Sequence, residues 1–270
     1  MNTEYKKLIS EAKSYYEGRP DELRNIKNGN VVFDLIWYKG LSNEINLWSY
    51  WQGAGVDHPE VMIVGQDFGS CKGELFEQCV KSYAGDGKIL SEKYITEIHK
   101  NKKNKTDNML LELTEKGLGK KYSARTPGNE NLFMTNLCLG YRTGDKMSGG
   151  DLNPFLKHDS LYISKLIELK RPKVVICIGK DTFFNLGYAF PELKDSILAI
   201  KKNFWKSLDE GRNYVDSTAW GFRMYGVAHT GSFGTMNRRK YCTIKDAEKY
   251  TGMGLMLNDW KRIGKYLVKS

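Results

Sequence analysis

Glu60-Val61-Met62-Ile63-Val64-Gly65-Gln66-Asp67-Phe68-Gly69-Ser70 is the stretch that decides the fold. Residues 61–64 are a short, unbroken apolar run, the pattern of a strand covered on both faces in a parallel sheet. The run stops at Gly65-Gln66-Asp67-Phe68-Gly69. Ligands of open α/β sheets bind in the crevice outside the carboxyl ends of the strands. Asp67 stands at such an end, between two glycines that let the backbone approach a ligand closely. The same residues also fit an ordinary turn in which Asp67 caps a following helix. The choice depends on the rest of the chain.

Three further stretches share the character of the first. Leu132-Phe133-Met134 is closed by Thr135-Asn136. Val174-Val175-Ile176-Cys177-Ile178 is the clearest strand and ends at Gly179. Residues 222–228, interrupted by Gly226, end at His229. Between them the spacing turns helical. Leu8, Ala12 and Tyr15 or Tyr16 mark a helix over 3–16, and Trp260, Ile263 and Leu267 one over 255–267. Asp159 is the expected cap of a helix whose face carries Tyr162, Ile163, Leu166 and Ile167, ended by Arg171-Pro172. Residues 190–208 look helical and basic. Residues 88–118 suggest two helices around Lys100, Lys102, Lys103 and Lys105, and a short helix is expected after Pro20. Residues 31–38 fit strand and helix equally. Residues 69–87, with a helical piece near Phe76, and 144–154 are expected loops, as is a basic, flexible 231–240.

Helices alternating with short buried strands predict an α/β fold: a three-layer α/β/α arrangement around a central, mostly parallel four-stranded sheet. No repeat or linker divides the chain, so residues 1–270 are expected to form one domain. Residues 1–55, with helical spacing and the aromatics Trp48, Tyr50 and Trp51, form an N-terminal extension packed on it.

Lys and Arg number 42 against 32 Asp and Glu, a net charge of +10. That balance suits an acidic partner, most commonly nucleic acid, and also suits a protein that merely has a lysine-rich surface. The five cysteines (Cys71, Cys79, Cys138, Cys177 and Cys242) include no Cys-x-x-Cys pair. Neither a disulfide framework nor a zinc site is expected, and Cys177 is expected as a buried thiol. No run reaches the roughly 18 apolar residues of a membrane span, and the first residues lack a signal peptide's apolar core. The expectation is a monomer in a reduced, cytoplasmic setting, without membrane, metal or cofactor.

Three strand ends thus carry Asp67, Asn136 and His229, which together supply a base, an amide reader and a hydrogen-bond donor. With Val64-Gly65-Gln66-Asp67-Phe68-Gly69, Met134-Thr135-Asn136, the strand-turn at 175–179 and Val227-Ala228-His229-Thr230-Gly231-Ser232, in that order, the chain resembles the uracil-DNA glycosylase superfamily. That family's first motif is Gly-Gln-Asp-Pro-Tyr in one branch and Gly-x-x-Pro-Gly in others, and its last is His-Pro-Ser.

The resemblance implies a hydrolase of base excision repair. It would cut the N-glycosidic bond of uracil, or a related damaged base, flipped out of DNA into a pocket at the strand ends. Asp67 would position and activate the water that attacks C1′. Asn136 would read O4 and N3–H of uracil, and His229 would donate to O2 as charge builds there. Gly65, Gln66, Phe68 and Gly69 would line the base site. Ser232 would touch phosphate, Phe233 or Met236 would wedge into the gap, and Arg238 and Arg239 would bind the DNA backbone.

The chain also departs from the family pattern. Phe68 and Thr230-Gly231 replace the motif prolines, and Gly69 stands where the strict uracil branch has tyrosine. The cysteines do not match the spacing of iron–sulfur branches, so no cluster is expected. These departures keep open a nucleic-acid- or nucleotide-binding protein that has the glycosylase fold without the activity. A hydrolase acting on free nucleosides fits the positive charge less well.

Overall fold

The structure is a computed structural model that describes residues 3–18, 26–28, 31–39, 46–47, 58–69, 105–120, 132–143 and 152–269. In chain order its elements begin with helix α1 (Thr3–Gly18) and the short strands β1 (Ile26–Asn28), β2 (Val31–Phe33) and β3 (Leu35–Ile36). Strand β4 (Val61–Gly65), helix α2 (Lys105–Lys116), β5 (Leu132–Asn136) and β6 (Tyr141–Arg142) follow. Then come α3 (Asn153–Lys170), β7 (Val174–Ile178), α4 (Lys180–Tyr188), α5 (Lys194–Lys202) and α6 (Phe204–Asp209). Strands β8 (Tyr214–Ser217) and β9 (Phe222–Val227), α7 (Ser232–Lys240) and α8 (Gly252–Lys269) complete the chain.

The four apolar stretches form the centre of one sheet, ordered β5-β4-β7-β9-β8. The first four strands run parallel and β8 joins antiparallel to β9. The sheet therefore has five strands rather than the four expected. The short β8 alternates buried and exposed positions along Tyr214-Val215-Asp216-Ser217, an edge-strand pattern with no apolar run to announce it.

The parallel strands are mainly apolar because both faces are covered; Arg223 of β9, paired with Asp216 of β8, and Thr135-Asn136 at the end of β5 are the polar positions. Met62, Val64, Phe133, Val175, Cys177 and Met224 pack with α1, α3 and α4 on one side. Val61, Ile63, Leu132, Met134, Val174, Ile176 and Val227 pack with α2 and α8 on the other. Burying each such side chain contributes about 1.5–3 kcal/mol. In the N-terminal region, Leu8, Ala12 and Tyr16 of α1 enter the first of these clusters together with Leu35 and Trp37.

Several local expectations change. Residues 31–38 hold two short strands. Helix α3 starts at Asn153, where Pro154 suits the first turn, so Asp159 lies within the helix rather than at its cap. Residues 190–208 break into a 3₁₀ turn and two helices. Residues 232–240 are helix, not loop. The short helix after Pro20, the aromatics Trp48, Tyr50 and Trp51, the piece near Phe76, the lysines at 100–103, and Cys71 and Cys79 lie outside the described residues. Among the described residues no helix is long and apolar enough to cross a membrane.

Chain connections diverge in the middle of the sheet. β4 leads to β5 on one side, while β7 leads toward β9 on the other. A parallel sheet opens its ligand crevice at the carboxyl ends of such a pair of strands.

Candidate active site

β4 and β5 end level with each other, with Gly65 paired to Asn136. A Cβ on Gly65 would lie 2.0 Å from Asn136 Oδ1 and 3.2 Å from its Cγ. The Asn136 amide therefore lies across Gly65, and only glycine leaves it that room. The ladder continues past the strands: Leu137 N–H donates to Gly65 O at 2.8 Å and Cys138 N–H to Gln66 O at 2.9 Å.

The segment after Asn136 is pinned from behind as well. Asp159 Oδ2 accepts from Leu139 N–H at 2.8 Å and from the Tyr16 hydroxyl at 2.5 Å. Asn46 Nδ2–H donates to Leu139 O at 2.8 Å. Burial foremost, and the nearby Asp159 charge, push the Tyr16 and Cys138 pKa values up, so both stay protonated.

Asp67 follows β4 in a tight turn. Its Oδ2 accepts from Gly69 N–H at 3.1 Å and from Arg142 Nε–H at 2.7 Å. Gly69 has φ +75°, in the left-handed region that glycine occupies without strain. Its carbonyl accepts from Arg142 N–H at 2.7 Å. The Arg142 side chain is 3% exposed and that of Asp67 13%. Among the described residues nothing donates to Asp67 Oδ1. Phe68 is buried, its ring stacked on Tyr141 at 4.9 Å between centroids.

His229 stands two residues beyond β9. Its Nδ1 accepts from Gly231 N–H at 2.9 Å, so the neutral ring carries its proton on Nε2. Burial lowers its pKa below the usual 6.5, and the charge of Asp67 opposes that shift without cancelling it. Asp67 is thus close enough to act on His229 electrostatically, although they belong to different strand ends. Gly179, at φ +100°, passes beside the ring, and a Cβ there would come within 3.9 Å of His229 Cβ. A Cβ on Gly234 would meet His229 O at 1.8 Å, which shows how tightly the first turn of α7 sits against the histidine.

The three polar residues read from the strand ends, Asp67, Asn136 and His229, therefore stand along the carboxyl edge of the parallel strands, with Gly65 and Gln66 leading from β4 into Asp67. Of the residues expected to meet DNA, Ser232 opens α7 on its exposed side. Phe233 is 77% and Met236 61% exposed. Arg239 is exposed too.

Arg238 is different and corrects the expected phosphate contact. It is fully buried, with Nε and Nη2 donating to Asp259 and Nη1 2.7 Å from Asp209. It ties α7 to α6 and α8, because helix periodicity turns 238 inward while 236 and 239 face out.

Arg142, Tyr141 and Asn46 carry no sequence signal of these contacts, while Asp159 and Tyr16, legible only as a helix cap and a helix-face residue, bond to each other behind the site. Arg142 follows Gly140-Tyr141 and carries no local signal of its partner 75 positions away. Among the described residues no group of three His, Cys, Asp or Glu side chains could hold a metal ion. No family model matches the sequence, and no curated protein matches it significantly.

Proposed function

We propose that this chain is a DNA glycosylase of the uracil-DNA glycosylase type. Its sheet would be that superfamily's four parallel strands with β8 added at the edge. The reaction is hydrolysis of the N-glycosidic bond of uracil, or a related damaged base, flipped out of DNA. The observation that carries this reading is the row of Asp67, Asn136 and His229 at one sheet edge, with His229 held in the tautomer that donates from Nε2.

Each residue then has a defined task. A water oxygen bonds to C1′ as the C1′–N1 bond breaks, and the bonding electrons leave with the base. Asp67 Oδ1, the carboxylate oxygen without a described donor, holds that water and takes its proton. Negative charge on the departing uracil spreads to O2, where His229 Nε2–H donates to it; a neutral imidazole can do this. The Asn136 amide, laid across Gly65, offers a donor and an acceptor to O4 and N3–H. The departing base collects a proton from solvent. Phe233 and Met236 project from α7 beside this row, suited to fill the stack that a flipped base leaves.

The competing binding-only reading draws support from the two donors already on Asp67 Oδ2, which a purely structural aspartate would also have. A panel of single-stranded and duplex oligonucleotides, each with one modified base, separates the readings by alkaline strand cleavage. Cleavage at uracil or a 5-substituted uracil is the expected result. DNA binding with every strand intact would overturn the glycosylase reading.

A further inference from the structure

A carboxylate that must hold one water for attack has to present one oxygen in one direction. Asp67 would otherwise be poorly placed to do so, because it sits in a turn beyond the end of a strand rather than on it. Two donors resolve this, and both act on Oδ2: the Gly69 N–H at 3.1 Å and Arg142 Nε–H at 2.7 Å. With Oδ2 fixed, the plane of the carboxylate is fixed, and Oδ1 is the oxygen left for water.

Arg142 also controls the turn itself, since its backbone N–H donates to the carbonyl of Gly69 at 2.7 Å. One residue thus grips both the carboxylate and the loop that carries it. Its own backbone is anchored in β6, where Arg142 pairs with Leu35 of β3. Its side chain is 3% exposed, too covered to meet a DNA phosphate. The preceding residue, Tyr141, stacks on Phe68 and holds the other side of the same turn. The segment from Asn136 to Arg142 therefore carries the base reader at one end and the grip on Asp67 at the other.

We infer that Arg142 is a positioning residue for Asp67, setting the orientation of the oxygen that holds the attacking water. This rests on the glycosylase reading. Displacement of a reacting group by about 1 Å can cost about 10²-fold in rate, and Lys cannot reproduce the planar, forked donor geometry of Arg.

The test is a double-mutant cycle in single-turnover uracil release from an oligonucleotide, with the DNA dissociation constant and the melting temperature measured alongside. Four proteins are compared: wild type, Arg142→Gln, Asp67→Asn and the double variant. Arg142→Gln is expected to lower the rate by about 10–100-fold with DNA affinity unchanged. In the Asp67→Asn background the same change is expected to cost nothing further, because it acts only through Asp67. Multiplying effects would overturn the inference, since Arg142 would then act by another route. So would a wild-type rate in Arg142→Gln.

If Arg142→Gln does not fold, Arg142→Lys serves in its place. A reduced rate with wild-type melting supports the inference, and a full rate overturns it. A wild type that releases no base from any oligonucleotide fails at an earlier step, and it is the glycosylase reading that falls.

Discussion

Gly65 shows at the scale of one residue how a sequence feature can be legible while its reason is not. Its place after an apolar run marked it as a point of close approach, and the expected visitor was a ligand. The structure shows a nearer one, the Asn136 amide, with Oδ1 at 2.0 Å from where a Cβ would stand. Gly65→Ala should displace that amide, whose far end can rotate away, rather than break the sheet. The expected outcome is a melting temperature close to wild type with a KM for uracil substrates raised about tenfold or more, the worth of one or two hydrogen bonds. Steady-state kinetics beside a thermal melt would check it; a large loss of stability with unchanged KM would mean that the backbone, not Asn136, absorbs the clash. Asp67 carries a similar lesson. Its position at a strand end was readable, but its partner was not, because nothing near Arg142 in sequence points back to residue 67.

Among the elements, α7 differs most from its sequence reading. Gly231, Gly234 and five basic or polar residues between 235 and 240 suggested a loop. Gly234 instead lets the helix pack on the His229 carbonyl, and Arg238 turns inward to Asp209 and Asp259. Because Arg238 is buried and Arg239 is exposed, two neighbouring substitutions diverge. Arg238→Ala removes the nearest cation from two buried carboxylates, leaving Asp259 only Arg262 at 3.8 Å, and should cost about 3–5 kcal/mol of stability, read by denaturant unfolding. Arg239→Ala should leave stability within about 0.5 kcal/mol. If it meets phosphate, it should reduce the salt slope of DNA binding by about 1. Equal stability in the two variants would contradict the buried pairing.

The loop from β9 into α7 also has a pH signature. His229 has a folded pKa below its ordinary 6.5, with burial as the main cause. Between the folded and the unfolded values the unfolded chain binds more protons, so stability rises with pH across that window. The His229 contribution is complete above 6.5, declines as pH falls below it, and levels once the folded value is passed. Protonating Nδ1 would also set it against the Gly231 N–H that now donates to it. The stability of wild type relative to His229→Gln should therefore fall between pH 7.5 and 5.5, measured from denaturant midpoints. A difference that stays flat over that range would mean that the ring is solvated in the folded protein.

The whole molecule is readable where its strands are mainly apolar, with Arg223 of β9 as the charged exception. The stretches at 61–64, 132–134, 174–178 and 222–227 all became parallel strands, because a strand buried on both faces has only one kind of residue to show. What escaped was amphipathic, short or buried through a distant partner. β8 is four residues long and buries Val215 and Ser217 but not Asp216, and α3 keeps a carboxylate inside for the sake of Tyr16 and Leu139. The row of strand-end residues was legible because a parallel sheet gathers every strand end to one edge, however far apart in sequence. The central claim is that this edge breaks an N-glycosidic bond with Asp67 on the water. It is tested most directly by the rate at which free uracil leaves a uracil-containing oligonucleotide, in wild type and in Asp67→Asn at equal DNA occupancy. Wild type should release uracil, and Asp67→Asn should do so about 10²–10⁴-fold more slowly; equal rates, or no release by wild type from single-stranded or duplex DNA, would contradict the claim.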